Sequence, residues 1–281
     1  MSESVAPIVH RFQANLFPVN AYIIETADAL VVVDSTLGVS DGRALRARVD
    51  SLGKPLAAVI VTHAHPDHYG AITSLLDGLD VPIVAVDGVD DVIRRDDAVK
   101  EKILRPMFGA EWAQRRTFPT RRVHDGDVVT LGGATLRVVD LGPGESPHDS
   151  MWLLEHRGRI IGAFAGDLAY SRMHAYLADG FHDEWLRNIE RARGMLDADT
   201  MLYIGHGEPA PAAELLAWQH DYIDTFVRSL RELTSTSSSA TPDDAVLTRE
   251  MSEAMQRFLP GEDLLFLMQL SVPPMRERLT R

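Results

Sequence analysis

Three histidines and one aspartate fall within six consecutive positions of the segment VTHAHPDHYG, which runs from Val61 to Gly70. Imidazole nitrogens and carboxylate oxygens are ligands that zinc prefers, and iron or manganese become favoured as the ligand set becomes harder. A turn that merely caps the next helix could contain the same residue types, but four such side chains rarely lie this close together without a metal. The segment therefore predicts a metal site that contains His63, His65, Asp67 and His68.

An apolar run, LAAVIV, leads directly into this segment and predicts a buried strand that ends at the histidines. Side chains two positions apart point to the same face of a strand, so His63 and His65 should point the same way. The turn at Pro66 should then bring Asp67 and His68 to a second position nearby.

The first two-thirds of the chain is typical of an α/β protein, in which short apolar strands alternate with turns and amphipathic helices. Ser40 is expected to cap a helix that runs to Gly53, and Asp183 to cap a helix that contains Trp185. Strands are expected at AYIIE, LVVVDS, VPIVAVD, DVVTLGG, ATLRVVDLG and TMLYIGHG, and in a hairpin around Arg157 and Gly158.

Two further regions differ from this pattern. Residues from about 97 to 122 are expected to form an irregular, partly helical insertion, because Pro106 and Gly109 interrupt any long helix. From Ala210 onward the chain is expected to be wholly helical. A polar, mobile loop at STSSSATPDD should interrupt these helices, and Thr241 with Pro242 should start the next one.

Composition limits the classes of partner. The 281 residues have a formal net charge of −13, which argues against nucleic acid and against an anionic membrane surface. The chain contains no cysteine, which excludes disulfides, thiolate nucleophiles and cysteine-ligated zinc. The sequence shows neither a secretory signal nor a membrane-spanning stretch, so a cytoplasmic protein is expected, with monomer and homodimer both left open.

The segment THAHPDHYGAI contains the H-x-H-x-D-H signature and resembles the metallo-β-lactamase fold superfamily. The preceding VNAYIIET and LVVVDST are similar to the opening strands of that superfamily, and GPGESPHDS, AGD and IGHG follow in the same order. The resemblance covers roughly residues 8 to 210. It implies a four-layer αβ/βα sandwich as the catalytic core over residues 1–210, with a helical extension over 211–281 that packs on the core.

The resemblance also implies two divalent metal ions, with zinc favoured and manganese or iron as alternatives. In the family, the first two histidines of the motif bind one metal and the Asp-His pair binds the other. A further aspartate bridges both metals, and a late histidine completes the second site. Carried over by motif, the ligands are His63 and His65 at the first site, Asp67, His68 and His206 at the second, and Asp167 between them.

The third ligand of the first site departs from the family pattern, because Glu145 stands in the GPGE turn where a histidine is usual. In one reading Glu145 is that ligand, as in the alkylsulfatase branch, where a glutamate followed by AP is similar to ESP here. In a second reading His148 takes over and Glu145 becomes an acid–base group, and in a third the first metal is weak or lost. We favour Glu145, because Gly142 and Gly144 preserve the turn that aims this position.

The implied activity is hydrolysis of a small organic substrate, an ester, thioester, lactone or sulfate ester, by a metal-bridging hydroxide. Asp67 should orient that hydroxide, and Tyr170 and His174 are candidates to bind substrate or stabilise an oxyanion. A mono-iron dioxygenase similar to the persulfide dioxygenases and a non-catalytic metal sensor are the alternatives. Met107, Phe108, Trp112 and Phe118 could wall an apolar pocket, whereas LLFLMQLSV near the C-terminus is expected to be ordinary core.

Overall fold

Two six-stranded sheets form the centre of the computed structural model, which describes residues 5–235 and 243–280. The first three strands pair antiparallel and the next three parallel. In order across the first sheet these strands are β1 (Ile8–Gln13), β2 (Asn20–Glu25), β3 (Leu30–Val33), β4 (Leu56–Ile60), β5 (Ile83–Val86) and β6 (Arg121–Val123).

The second sheet is antiparallel except for one parallel pair, β10 with β11. From one edge to the other its strands are β12 (Ala210–Pro211), β11 (Met201–Tyr203), β10 (Arg159–Phe164), β9 (Asp149–His156), β8 (Ala134–Gly142) and β7 (Val128–Leu131). The expected hairpin between β9 and β10 is present, and Arg157 and Gly158 both have positive φ at its turn. Such a turn matches the twist of the strands that it joins.

Helices cover the outer faces of both sheets. Those on the first sheet are α1 (Val39–Ser51), α3 (Ile72–Leu76) and α4 (Asp87–Phe108), and the short helix α2 (Pro66–Tyr69) follows β4. Those on the second sheet are α5 (His182–Met195), α6 (Ala212–Ser235), α7 (Asp244–Phe258) and α8 (Leu265–Leu279). Within the described ranges, no helix has both the length and the apolar character needed to cross a bilayer.

Successive side chains along the strands of the second sheet point to opposite faces, so this sheet contributes to two separate hydrophobic cores. Val138 packs into the core between the sheets, whereas its neighbour Val139 packs into the core beneath α5 to α8. Tyr22 of the first sheet meets Phe164 of the second, with 5.7 Å between ring centroids. Helices therefore lie outside two facing sheets, which confirms the predicted four-layer sandwich and helical extension.

Three helix boundaries differ from the expectations. Helix α1 begins at Val39 after Gly38, so Ser40 lies inside its first turn, where its hydroxyl donates to Glu111. Helix α5 begins at His182, so Asp183 lies inside its first turn. The region expected to be wholly helical begins with the short strand β12.

The segment expected to be an irregular, partly helical insertion contains the second half of helix α4, then a 3₁₀ turn (Gly109–Glu111) and an irregular stretch that leads into β6. Pro106 lies in the last turn of α4, where the missing amide removes a single helical hydrogen bond. Gly109 ends the helix with φ of 54° and donates its amide to the carbonyl of Arg105. The expected helix start at Thr241 and Pro242 lies outside the described residues, and Asp243 caps α7 by accepting the amide of Ala245.

Candidate metal centre

The residues of the H-x-H-x-D-H motif lie just beyond β4. His63 forms an isolated bridge with Asp149 of the second sheet, which places this end of β4 against the loop that precedes β9. Helix α2 starts at Pro66, whose fixed φ suits a first helical position. This short helix carries Asp67 and His68, and the His68 ring lies 4.0 Å from the His63 ring, centroid to centroid.

The remaining candidate residues come from three loops of the second sheet. Glu145 lies between β8 and β9, and Asp167 lies in a single 3₁₀ turn (Gly166–Leu168) after β10. His206 follows β11 and forms an isolated bridge with Tyr170. Because β10 and β11 are parallel neighbours, their carboxyl ends bring Asp167 and His206 together.

One group of potential ligand atoms lies within 4.8 Å of one another and consists of His63, His65, Glu145 and Asp167. Nδ1 of His65 is 2.8 Å from Oε2 of Glu145, and Nε2 of His63 is 3.6 Å from the same oxygen. The group consists of the two motif histidines, the expected bridging aspartate, and Glu145, which was favoured over His148 as the third ligand of the first site.

A second group, within the same limit, consists of Asp67, His68 and His206. Nε2 of His206 is 3.2 Å from Oδ2 of Asp67 and 3.1 Å from Oδ2 of Asp167. Oδ1 of Asp167 is in turn 3.4 Å from Nε2 of His68. Asp167 therefore lies between the two groups, where one carboxylate can reach both.

The donor atoms of this cluster fit divalent cations. Nε2 of His63, Nε2 of His68, Oε2 of Glu145 and Oδ1 of Asp167 are buried and have no hydrogen-bond partner among the described residues. The close approach of His65 to Glu145 lacks hydrogen-bond geometry, so it does not satisfy that carboxylate. Buried polar atoms without partners are costly, and cations held between them remove that cost.

Each of three histidines directs one nitrogen toward the cluster and the other toward a protein acceptor. Nδ1 of His68 donates to Asp34 at 2.9 Å, and Nδ1 of His206 donates to the carbonyl of Pro18 at 2.6 Å. Nε2 of His65 donates to Asp179 at 3.1 Å. Such contacts fix the tautomer and the ring plane of metal-binding histidines.

Asp34 and Asp179 are functional candidates that sequence reasoning missed. Asp34 is buried directly after β3 with φ of 59°, and it also accepts the amide and the hydroxyl of Thr62. Thr62 in turn lies 3.1 Å from Nδ1 of His63. An aspartate that ends an apolar strand beside a histidine-rich strand end is the signal that could have identified Asp34.

Burial and neighbouring charges shift the pKa values of the cluster residues in different directions. Burial raises the pKa of Glu145 to about 8, against the lowering effect of His65. Burial also tends to raise the pKa of Asp167, but the nearby His206 and His68 together have the larger effect and hold this pKa well below its ordinary value. Burial is the main cause that lowers the pKa of His63 well below its ordinary value, and His68 adds to that effect. A cation would stabilise the ionised form of Glu145.

The loop that carries Glu145 is held by Asp149. Its carboxylate accepts the amide of Glu145 at 2.7 Å and the hydroxyl of Ser146 at 2.5 Å. A Cβ at Gly144 would lie 2.6 Å from that carboxylate, so this position has no room for a side chain. His148 points elsewhere, with Nε2 2.8 Å from Oδ1 of Asp140. The structure thus brings Glu145 to the cluster and not His148.

The two candidate substrate-binding residues have different environments. The hydroxyl of Tyr170 lies 3.0 Å from Oε1 of Glu145 and 2.9 Å from Oδ2 of Asp167, and its ring stacks on His206. His174 is buried among the C-terminal helices, within hydrogen-bond distance of the Tyr222 hydroxyl and the Gly261 carbonyl. The structure therefore brings Tyr170 to the cluster but not His174.

A cavity of about 560 Å³ opens above the cluster. Met107 and Phe108 line it as expected, whereas Trp112 is buried elsewhere and donates to Glu101. The expectation that the C-terminal run LLFLMQLSV is only core was wrong, because three of its side chains line the cavity. The lining comprises Phe17, Leu37, His65, Pro66, Asp67, Asp96, Lys100, Ile103, Leu104, Met107, Phe108, Glu145, Pro147, Asp167, Tyr170, Tyr176, Asp179, His206, Phe266, Leu267 and Leu270.

Comparison with known proteins matches residues 14–206 to a family model described as the metallo-beta-lactamase superfamily. The uncharacterized protein YobT of Bacillus subtilis is 29% identical over 154 residues, 54% of this chain and 62% of the relative. A hydroxyacylglutathione hydrolase from Cupriavidus metallidurans is 26% identical over 156 residues, 55% of this chain and 51% of the relative. A linear primary-alkylsulfatase from Pseudomonas sp. is 22% identical over 224 residues, 68% of this chain and 42% of the relative.

These curated relatives are longer than the matched region, and the chain spans only about half of their length. Among solved structures, a metallo-beta-lactamase family protein from Thermus thermophilus superposes with a TM-score of 0.71 at 18% identity. That match covers 97% of this chain and 93% of the other, and at such identity it shows the fold alone.

Proposed function

The chain belongs to the metallo-β-lactamase superfamily, and from that membership we propose that it is a dinuclear metal-dependent hydrolase of small organic substrates. The observation that carries this proposal is the pair of ligand groups joined by Asp167, with four buried ligand-type atoms unpartnered within the described ranges. The first ion would be held by His63, His65, Glu145 and Asp167, and the second by Asp67, His68, His206 and Asp167.

Two divalent ions in these positions would lower the pKa of a water molecule and polarise the bond to be cleaved. In the net reaction, the oxygen of water bonds to carbon or sulfur, the ester or thioester bond breaks, and the leaving group departs with a proton. Asp67 lines the cavity, and in this proposal its carboxylate would orient the attacking hydroxide. Tyr170 keeps Glu145 and Asp167 oriented through its hydroxyl.

The ligand set and the relatives support a choice of metal and of scissile bond. We propose zinc as the resident metal, with manganese or iron as alternatives because Glu145 adds a hard carboxylate ligand to the first group. The names of two relatives, a hydroxyacylglutathione hydrolase and a linear primary-alkylsulfatase, support cleavage of an organic thioester or ester-type bond.

The test begins with metal content. The full chain would be loaded with zinc, manganese or iron(II), its metal content measured by mass spectrometry, and its activity assayed on an ester, a thioester, a lactone and a sulfate ester. We expect two ions per chain and turnover of at least one substrate. Asp167→Ala should lower both quantities, whereas Asp221→Ala, at an exposed position on α6, should lower neither.

Three outcomes would overturn the proposal. One ion per chain together with dioxygen consumption would indicate a mono-iron dioxygenase. Two ions without turnover of any substrate class would indicate a metal-binding sensor. Normal activity of Asp167→Ala would remove the bridging role of that carboxylate.

A further inference from the structure

We propose that the cavity above the metal centre binds an unbranched apolar hydrocarbon chain, so that the substrate is an ester of a medium- or long-chain acid or alcohol. This inference rests on the proposed hydrolase function and names its substrate class. It depends on the two helices that form the cavity walls and on the position of the polar groups between them.

The first wall is the C-terminal half of α4. Ile103, Leu104, Met107 and Phe108 are spaced one and four positions apart, so they share one face of the helix, and all four line the cavity. Ile103 is 57% exposed and Met107 is 67% exposed. This face is apolar yet open to solvent.

The second wall is the first half of α8. Phe266, Leu267 and Leu270 line the cavity, while Met268 and Val272 of the same helix are buried in the core beneath it. Helix α8 therefore has two apolar faces, and only one of them is covered by protein. Phe266 is 47% exposed and Leu270 is 59% exposed.

Several polar groups of the lining belong to the metal cluster, among them His65, Asp67 and Glu145. Lys100 and Asp96 are the charged residues that α4 contributes to the lining. The Lys100 ammonium donates to the carbonyl of Ala64, within the motif, and Asp96 pairs with Arg95. Beyond Lys100, the walls that α4 and α8 contribute consist of apolar side chains.

The ring of Phe17 connects the metal centre to the second wall. Its centroid is 5.7 Å from the His206 ring and 6.1 Å from the Phe266 ring, with an edge-to-face arrangement in both pairs. The aromatic lining of the cavity is therefore continuous from a candidate metal ligand to α8. A chain attached to a scissile group at the metal centre would leave it along these rings.

Four large apolar side chains exposed around one cavity are unfavourable in water, and they mark a surface that a ligand covers. A volume of about 560 Å³ lies in the range of small-molecule sites, of roughly 300–1,000 Å³. Burial of each added methylene should raise kcat/KM about three- to fourfold until the chain reaches the end of the walls.

The first experiment measures chain-length dependence on the metal-loaded protein. One series contains p-nitrophenyl esters from acetate to dodecanoate, and a second contains alkyl sulfates from butyl to decyl. A rise of kcat/KM with chain length in the first series identifies the acyl side, and a rise in the second identifies the alkyl sulfate. Values independent of length in both series would overturn the inference.

A matched pair of variants on α4 tests where the hydrocarbon chain of the substrate binds. Ile103→Asn places a polar group in the wall, whereas Val99→Asn changes a residue of the same exposure, 57%, one turn earlier and outside the lining. We expect Ile103→Asn to lower the ratio of kcat/KM for decanoate over acetate about tenfold, since a polar group replaces buried methylene contacts there, and Val99→Asn to leave that ratio unchanged. Equal effects of both variants would show that the hydrocarbon chain of the substrate does not bind along this wall.

Binding without turnover separates this inference from the hydrolase proposal. Calorimetry with hexanoate, octanoate, decanoate and dodecanoate should show affinity that increases with length and decreases in Ile103→Asn. If binding shows this trend while no ester is cleaved, the hydrolase proposal fails and the apolar-chain site stands. If esters are cleaved with no trend in rate or binding, the hydrolase stands and the apolar-chain site fails.

Discussion

Nδ1 of His65 lies 2.8 Å from Oε2 of Glu145, and both atoms belong to one group of potential metal ligands. Their approach lacks the geometry of a hydrogen bond, and the glutamate oxygen has no such partner within the described ranges. Both atoms lie where they could reach one cation. Glu145 thereby occupies the place at which the family usually has histidine.

Substitution of Glu145 tests that arrangement. Glu145→Ala should reduce the metal content from two ions per chain to one. The first group would then keep only its two histidines and the carboxylate of Asp167, which it shares with the second group. Glu145→His should retain two ions, since imidazole is an accepted ligand for zinc. Mass spectrometry of metal content is the measurement, and two ions in Glu145→Ala would show that this carboxylate is not a ligand.

Removal of the Tyr170 hydroxyl should weaken the site without unfolding the protein. Tyr170→Phe keeps the ring stacked on His206 but loses the bonds to Glu145 and Asp167. We expect the metal affinity to fall roughly 10- to 100-fold in a chelator competition assay. Tyr222→Phe, which removes an equally buried hydroxyl beside His174, is the control. Unchanged affinity with lower kcat would place the Tyr170 hydroxyl on the substrate instead.

Asp34→Asn should disturb His68 from outside the cluster. Oδ1 of Asp34 accepts the amide of Thr62, and Oδ2 accepts both the Thr62 hydroxyl and Nδ1 of His68. The NH₂ group of an asparagine would face the donor or donors on one of these two sides. We expect the free energy of unfolding to decrease by about 1–3 kcal/mol, together with weaker metal binding. Denaturant titration measures the first effect. Asp28→Asn, at an exposed turn, should produce neither, and equal effects in both variants would refute the orienting role.

The His148–Asp140 pair should stabilise the fold in a defined pH range. The hydrogen bond with Asp140 raises the pKa of His148, so its stabilisation is present below the ordinary histidine value of about 6.5 and is lost as pH rises through the folded-state value. Burial tends to raise the pKa of Asp140, but the hydrogen bond with His148 contributes to a net lowering of this pKa. The stabilisation is therefore present above the ordinary aspartate value of about 4 and is lost in stronger acid.

His148→Gln should accordingly lower the free energy of unfolding by about 1 kcal/mol at pH 5.5 and by less at pH 9. Denaturant titrations at both pH values provide the measurement. An effect of His148→Gln that is equal at both pH values would exclude the charged pair as its cause.

Removal of metal should lower the melting temperature. Ligand binding to the folded state at a free concentration of about 100 times Kd stabilises it by about 2.7 kcal/mol, which for a chain of this size corresponds to roughly 5–10 °C. Circular dichroism melting curves with and without a chelator would measure the shift, and added zinc should reverse it. An unchanged melting temperature after complete metal removal would contradict a buried cation site.

The sequence predicts the metal cluster better than the cavity because the two depend on different distances along the chain. His63, His65, Asp67 and His68 lie within six positions, so their spacing alone indicates a metal site. Glu145, Asp167 and His206 could be assigned only through the family motif, since strand pairing in the second sheet brings them together. The wall at Phe266 depends on how α8 packs, and an apolar run does not show which of its faces the protein covers.

The region matched by the family model ends at residue 206, whereas Phe266, Leu267 and Leu270 lie about sixty positions later. The candidate metal ligands and the second wall of the cavity, on α8, are thus encoded in separate stretches of the gene. Replacement of α8 could change which substrates are accepted while every candidate ligand remains in place. A protein with this division can diverge in specificity through its last helix, under selection that leaves the chemistry untouched.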